Sequence, residues 1–263
     1  MDRIVLAGDR RTDDPLAVAA GVAGKALVPI AGRAMLTRVV ATLTNWRTKG
    51  RLIVVAPDSA RYRQAAREGA AGAGAELVWV EPAASLAGSV RQALATSRSR
   101  RCLLLTADHV LMDTAWLEHL LGACPIGTAD LAVGLTDWHE VMARFPGSRR
   151  TRYRFSNGSS CGTNLFLVNN RAGVERILDQ WQQVEQQRKK PWRIVSMLGW
   201  RNLSRYLAGR LSVEGAFSAL SARLGAEVRP VHVPDPLAAV DVDSAADLAL
   251  VEQVLAEKAR SQC

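Results

Sequence analysis

Three carboxylates and one lysine come first, because each stands where an apolar run gives way to polar sequence. Leu103-Leu104-Leu105-Thr106-Ala107-Asp108 delivers an acid at the end of a strand-like run. Magnesium takes a few hard oxygen ligands and completes its shell with water and phosphate, so one well-placed carboxylate can recruit it. Helix capping is the competing role, but Asp113, ahead of Thr114-Ala115-Trp116-Leu117, is the better cap and leaves Asp108 as the metal ligand. In Ala239-Val240-Asp241-Val242-Asp243-Ser244, alternation puts both acids on one side. Asp241 is the expected second metal ligand. Asp243 stays open between metal binding and capping the helix that Ser244 begins, and Asp247 reads as an acid of that helix's first turn.

A different chemistry is written into Leu6-Ala7-Gly8-Asp9-Arg10-Arg11, which an Ala/Gly-rich stretch joins to Lys25-Ala26-Leu27-Val28-Pro29-Ile30. A glycine directly after a strand lets backbone N–H groups approach a phosphate, and Arg10, Arg11 and Lys25 can neutralise it. A flexible loop with solvated charges fits the same pattern. In Ser85-Leu86-Ala87-Gly88-Ser89, the Ser89 hydroxyl and the backbone at Ala87 and Gly88 could read a base edge, and a plain helix start explains these residues nearly as well. Arg144 to Arg154 holds five arginines. Guanidinium grips phosphate bidentately, so Arg150 and Arg152 are candidates for a phosphorylated partner, with solvation as the plainer account of some of them.

Elements must hold these residues. Strand-like runs are Arg3–Ala7, Leu52–Ala56, Glu76–Trp79, Cys102–Thr106, Leu131–Leu135, Asn164–Val168 and Glu227–Val233. Helical periodicity predicts Met35–Thr44, Ala60–Glu68, Ser85–Thr96, Asp113–Leu121, Val174–Arg188 and Ala245–Lys258. Alternating β and α elements, several strands apolar on both faces, specify an α/β fold with a mostly parallel sheet and helices on both sides. Ligands in such sheets bind beyond the carboxyl ends of the strands, where the residues above fall. The expected organisation is one domain over 1–263, with a basic helical insertion at about 174–230.

Taken together and in order, Leu6-Ala7-Gly8, Lys25-Ala26-Leu27-Val28-Pro29-Ile30-Ala31-Gly32-Arg33-Ala34-Met35-Leu36, Asp108 and Asp241-Val242-Asp243 resemble the sugar-phosphate nucleotidyltransferases and the related molybdenum-cofactor guanylyltransferase-like NTP transferases. The resemblance covers most of the chain outside about 174–230. It implies a Rossmann-like fold of the nucleotide-diphospho-sugar transferase type and Mg²⁺-dependent transfer of an NMP moiety from an NTP to a phosphorylated small-molecule acceptor. It also implies Lys25, with Arg10 and Arg11, on the phosphates; Ala7, Gly8, Asp9, Ser85, Gly88 and Ser89 on the nucleotide; and Asp108 and Asp241 on the metal. Gly162-Thr163-Asn164, in place of the family's Gly-Gly-Asn-like turn, borders the acceptor. Asp9 departs from the pattern, which has a second glycine there; its carboxylate would repel a triphosphate unless a cation or arginine lay between. A nucleotide-sugar glycosyltransferase of similar fold is the enzymatic alternative, although Asp108-His109-Val110 lacks the second acid of an Asp-x-Asp pair. A decayed homologue that binds a membrane or a protein is the other.

Bulk properties narrow the setting. Of 263 residues 48% are hydrophobic and 22% charged, the usage of a folded domain, and the net charge of +9 favours anionic partners. Cys102, Cys124, Cys161 and Cys263 are scattered, which indicates neither a disulfide framework nor a zinc cluster and suits a reducing cytoplasm. The opening apolar run is too short for a signal-peptide core, and no stretch approaches the ~20 apolar residues of a membrane span. Basic and aromatic residues interleave over 188–211. Peripheral contact with an anionic membrane, a cover over the site, or core-facing aromatics with solvated charges all fit, whereas the separated basic clusters do not favour nucleic acid.

Overall fold

The computed structural model describes residues 1–9, 13–46, 49–185 and 199–261. In chain order the elements are β1 (Asp2–Leu6), α1 (Pro15–Ala19), β2 (Pro29–Ile30), β3 (Arg33–Ala34), α2 (Met35–Asn45), β4 (Leu52–Val55), α3 (Ala60–Ala70), β5 (Leu77–Val80), α4 (Leu86–Thr96) and β6 (Cys102–Thr106). They continue with α5 (Thr114–Ala123), β7 (Leu131–Asp137), α6 (Trp138–Arg144), β8 (Tyr153–Phe155), β9 (Gly158–Val168), α7 (Arg171–Glu185), α8 (Trp200–Leu207), α9 (Val213–Leu224), β10 (Val228–His232) and α10 (Ala245–Ser261).

The main sheet runs β10-β7-β9-β6-β1-β4-β5, with β8 hairpinned onto β9. β1 pairs in parallel with β4 and β6, β4 with β5, and β7 with β10. Only β9 runs against both of its sheet neighbours, β6 and β7. The mostly parallel sheet follows from strands such as Leu52-Ile53-Val54-Val55, buried on both faces and therefore apolar throughout rather than alternating. On one face Val5, Val54, Leu103 and Leu105 meet α2, α3, α5 and α10 in a core that includes Leu36, Val40, Tyr62, Leu117 and Val251. On the other, Ile4, Ile53, Val55 and Leu104 meet Val90 and Leu94 of α4 and Val174 and Leu178 of α7. Successive residues of one strand thus feed opposite cores, as a period of two requires.

Three features differ from the sequence reading. Strand β9 begins at Gly158, six residues before the predicted start at Asn164, because its first half is polar and the periodicity signal is weak there. The short elements α1, β2, β3, α6 and β8 were absent from the reading, being too brief to show a period, whereas α8 and α9 lie within the 174–230 stretch read as helical. The end of the helix predicted to reach Arg188, the segment 188–198 and Cys263 lie outside the described residues. Cys102, Cys124 and Cys161 are buried free thiols, and among the described residues no helix is long and apolar enough to cross a membrane.

Candidate active site

The parallel strands β1 and β6 are neighbours in register, Leu6 opposite Thr106, so Gly8 and Asp108 leave the sheet side by side. From the other direction the segment before α10 comes down on the same place, where Val242 donates its N–H to the Asp108 carbonyl at 3.2 Å. Three chain segments far apart in sequence therefore converge beyond the carboxyl ends of the strands.

Lys25 stands at their centre. Its ammonium donates to Asp108 Oδ2 at 2.6 Å and to Asp243 Oδ1 at 2.5 Å. Thr106 Oγ1 adds a bond to Asp108 Oδ1 at 2.5 Å. Burial works against both charges, but the pairing outweighs it, so the Lys25 pKa is raised and that of Asp108 is lowered. Both groups are held in their charged forms. Asp243, open between two roles in the sequence, is committed to Lys25. The helix is capped by Ser244, whose Oγ accepts from Asp247 N–H at 3.2 Å while donating to Asp247 Oδ2 at 2.6 Å.

The loop that brings Lys25 here is fastened by Asp9. Its Oδ1 accepts the Lys25 backbone N–H at 2.9 Å, and its Oδ2 accepts the Tyr62 hydroxyl at 2.7 Å from α3. Both Asp9 oxygens, whose charge the sequence left without a partner, are thus turned into the loop. Gly24 is needed for that closure, since a Cβ there would lie 1.9 Å from Asp9 Oδ2 and 2.0 Å from the Tyr62 oxygen. Of the other nucleotide candidates, Gly8 is exposed against Pro82, while Ala7 is buried and gives its N–H to the Val55 carbonyl at 2.8 Å. Arg10 and Arg11 lie outside the described residues.

Ser85, Gly88 and Ser89 form a helix start. Ser85 caps α4 by accepting from Gly88 N–H at 3.0 Å. Ser89, buried, accepts from Ala83 N–H at 3.0 Å and donates to the Ser85 carbonyl at 3.1 Å. Its hydroxyl is engaged in the β5–α4 turn, as the helix-start reading of these residues has it.

A second charged cluster adjoins the first. Arg150, its side chain 7% exposed, ion-pairs with Asp241 and reaches Asp247 at 2.6 Å. Asn164 Nδ2 donates to Asp241 Oδ2 at 2.9 Å. Arg150 and Asn164, both expected beside the acceptor, hold Asp241 here. Asn164 does so from a left-handed conformation, φ 51°, where β9 shifts register against β7 between Val133 and Leu135. A bulge of this kind re-aims a side chain. Gly134 makes it feasible, because a Cβ there would lie 2.3 Å from the Thr163 hydroxyl. Of the predicted turn Gly162 is exposed, Asn164 half-buried and Thr163 buried. Arg152 is laid over the Trp138 ring at 4.4 Å and donates to Ser159 Oγ at 3.0 Å.

Asp108, Asp241 and Asp243 supply only carboxylate oxygens, the donors a hard divalent cation prefers. Asp241 is pushed up to about 6, first by burial and then by the Asp108 and Asp243 carboxylates, despite Arg150. Negative charge is thus in excess here, which fits a bound cation. Among the described residues no three His, Cys, Asp or Glu side chains are already gathered as a metal cluster; Lys25 and Arg150 stand between the acids instead. His109 is fully buried, stacked on Trp116 at 5.7 Å and lowered by that burial to about 4, so it is neutral near pH 7. Sequence reasoning missed Tyr62, Gly24 and Thr106, of which only Thr106, two residues before Asp108, left a local cue.

No curated protein matches the chain. Among solved structures the chain is similar to a hypothetical transferase from Thermus thermophilus, with 29% identity over 94% of this chain and 98% of that one and a TM-score of 0.75. It shares its fold with the inositol-1-phosphate CTP transferase from T. maritima, at 15% identity, 97% and 94% coverage and a TM-score of 0.60. It shares it also with a CMP:2-keto-3-deoxy-manno-octonic acid synthetase complexed with CTP, at 14% identity, 98% coverage of both chains and a TM-score of 0.58. Residues 4–198 match the MobA-like NTP transferase domain, with Lys25 and Asp108 inside the match. The chain belongs to the MobA-like NTP transferase family and is a nucleotidyltransferase.

Proposed function

We propose that the protein transfers an NMP moiety from an NTP to a phosphorylated, sugar-phosphate-like small molecule, with Mg²⁺, and releases pyrophosphate. The observation that carries this reading is the Lys25 ammonium held between Asp108 and Asp243 beyond β1 and β6. Nucleotidyl transfer depends on positioning and on offsetting charge at phosphate oxygens, and a lysine kept protonated by two acids is suited to that task. Asp108 and Asp241, with Asp243 beside them, would hold Mg²⁺, which when bound offsets charge on the phosphate oxygens.

The donor phosphates lie along Gly8 and Lys25, with Arg10 and Arg11 from the same loop. An oxygen of the acceptor phosphate attacks the α-phosphorus in line, the bond to the β-phosphate bridging oxygen breaks, and pyrophosphate departs. No protein nucleophile takes part. Lys25 neutralises the equatorial charge that develops, and the bond from Asp9 to the Lys25 N–H keeps the lysine from retreating. The acceptor enters past Gly162. Buried thiols at Cys102, Cys124 and Cys161 support a reducing, cytoplasmic setting.

Incubation with each NTP, Mg²⁺ and a panel of sugar phosphates tests this through pyrophosphate release. Lys25→Ala and Asp108→Ala should each abolish it. Release of free nucleoside diphosphate from a nucleotide sugar, or full activity in both variants, would overturn the reading.

A further inference from the structure

Helix α8 is an amphipathic helix that the described residues leave uncovered on its apolar side. Trp200, Leu203, Tyr206 and Leu207 recur at helical spacing, yet no residue of the helix is buried, and Trp200 is 84% and Leu207 76% exposed. One edge is anchored. The Tyr206 ring packs on Phe155 at 6.1 Å, its hydroxyl accepts the Arg154 backbone N–H at 3.3 Å, and Ser156 N–H reaches the Leu211 carbonyl at 2.9 Å. The helix is therefore seated on the β8–β9 hairpin by one side, with the Trp200–Leu207 side turned outward.

The stretches flanking it are basic in sequence, although Glu214, just past them, accepts from Asn157 Nδ2 of the hairpin at 3.0 Å. Gly199 to Val213 contains Arg201, Arg205 and Arg210 and no acid, and Phe145 to Asn170, which includes the hairpin, contains Arg149, Arg150, Arg152 and Arg154 and no acid. Arg149, Arg154, Arg201, Arg205 and Arg210 are exposed. Large apolar side chains on the outer face with arginines at the flanks are the pattern of a helix lying in the plane of a bilayer surface, where the apolar side enters the acyl boundary and the cations meet anionic headgroups. A nucleic-acid surface would put the cations at the centre of the face, where Trp200 and Leu207 stand here. We infer that α8, with the arginines of the β8–β9 hairpin, is a docking surface for an anionic lipid bilayer. It would place the acceptor side of the site, at Gly162 on the same hairpin, close to the membrane surface.

Flotation of the full chain with phosphatidylcholine vesicles, with and without phosphatidylglycerol, tests this. The bound fraction should be about tenfold larger on the anionic vesicles and should fall as salt is raised. Trp200→Ser with Leu207→Ser should lower binding about tenfold, and so should Arg201→Gln with Arg205→Gln, since one pair removes insertion and the other attraction. These side chains are exposed, so unchanged thermal melts would show that the fold persists. Equal binding to neutral and anionic vesicles would overturn the inference. So would undiminished binding by both double variants, tighter binding to duplex DNA than to vesicles, or a self-association lost in Trp200→Ser with Leu207→Ser.

Discussion

Replacing Lys25 by Met tests whether the lysine is the resident counter-ion of the acidic site. The side chain keeps its length and loses its charge. Its pair with Asp108 is 17% and 19% exposed, so removing the ammonium leaves a largely covered carboxylate with Thr106 as its remaining side-chain donor. Stripping one partner from a fully buried pair costs about 3–5 kcal/mol. Partial exposure and the surviving Thr106 bond reduce that, and the pair with Asp243, 66% exposed on the acid side, adds less than about 1 kcal/mol. A net loss of about 2 kcal/mol is expected, a drop in urea midpoint of roughly 1 M. The diagnostic part is the response to Mg²⁺. Three acids without their lysine should bind it better, and a ligand at ten times its Kd returns about 1.4 kcal/mol. Urea titrations of parent and variant, each with and without Mg²⁺, give both quantities. A variant as stable as the parent, with no larger gain from Mg²⁺, would refute the assignment.

Three further outcomes follow from the same contacts. Gly24→Ala should lower kcat/KM about 100-fold by displacing Lys25, and far less in a background carrying Asp9→Ala and Tyr62→Phe, because φ at Gly24 is −178° and the obstruction comes from those two side chains. Arg150→Met should cost about 3 kcal/mol by stranding Asp241 and Asp247, and adding Asp247→Asn should recover part of it; additivity in a denaturation cycle would contradict the shared bridge. Asp2, 3% exposed, experiences burial as its largest influence, which raises its pKa, but bonds from Arg51, Ser97, Ser99 and Arg98 prevail and hold it well below the usual carboxylate range. A carboxyl depressed in the folded state stabilises above its unfolded pKa and loses that contribution as pH falls through its folded value. Asp2→Asn should therefore be less stable by about 3 kcal/mol at neutral pH, with the gap closing below about pH 4; a constant gap across that range would contradict it.

How much could be read beforehand depended on what kind of signal each part leaves. Strands buried on both faces announce themselves as apolar runs, so β1, β4, β6 and their parallel arrangement were legible. Asp108 was legible because it closes such a run, and Lys25 because the ordered motif Lys25 to Leu36 follows the Gly8 loop. Direction in the sheet is not encoded in composition, and the reversal of β9 had no local trace. Side-chain partnerships across 70 or more residues, such as Arg150 with Asp241 or Asn164 with Asp241, depend on the folded path of the chain, so the bracing contacts of Arg150 left no local trace. Asp9 looked like a defect for the same reason, since Tyr62 and the Lys25 N–H that absorb its charge are 53 and 16 residues away.

The reversal of β9 divides labour in the molecule. Because it runs against β7, Ser160 near its start lies opposite Asp137 at the end of β7. Asp108 is thus placed by strand ends that also hold the core, whereas Gly162 and Asn164 lie on the opening of one strand and its hairpin past the sheet. The hairpin can therefore change in sequence while the parallel strands and the core that they hold stay as they are.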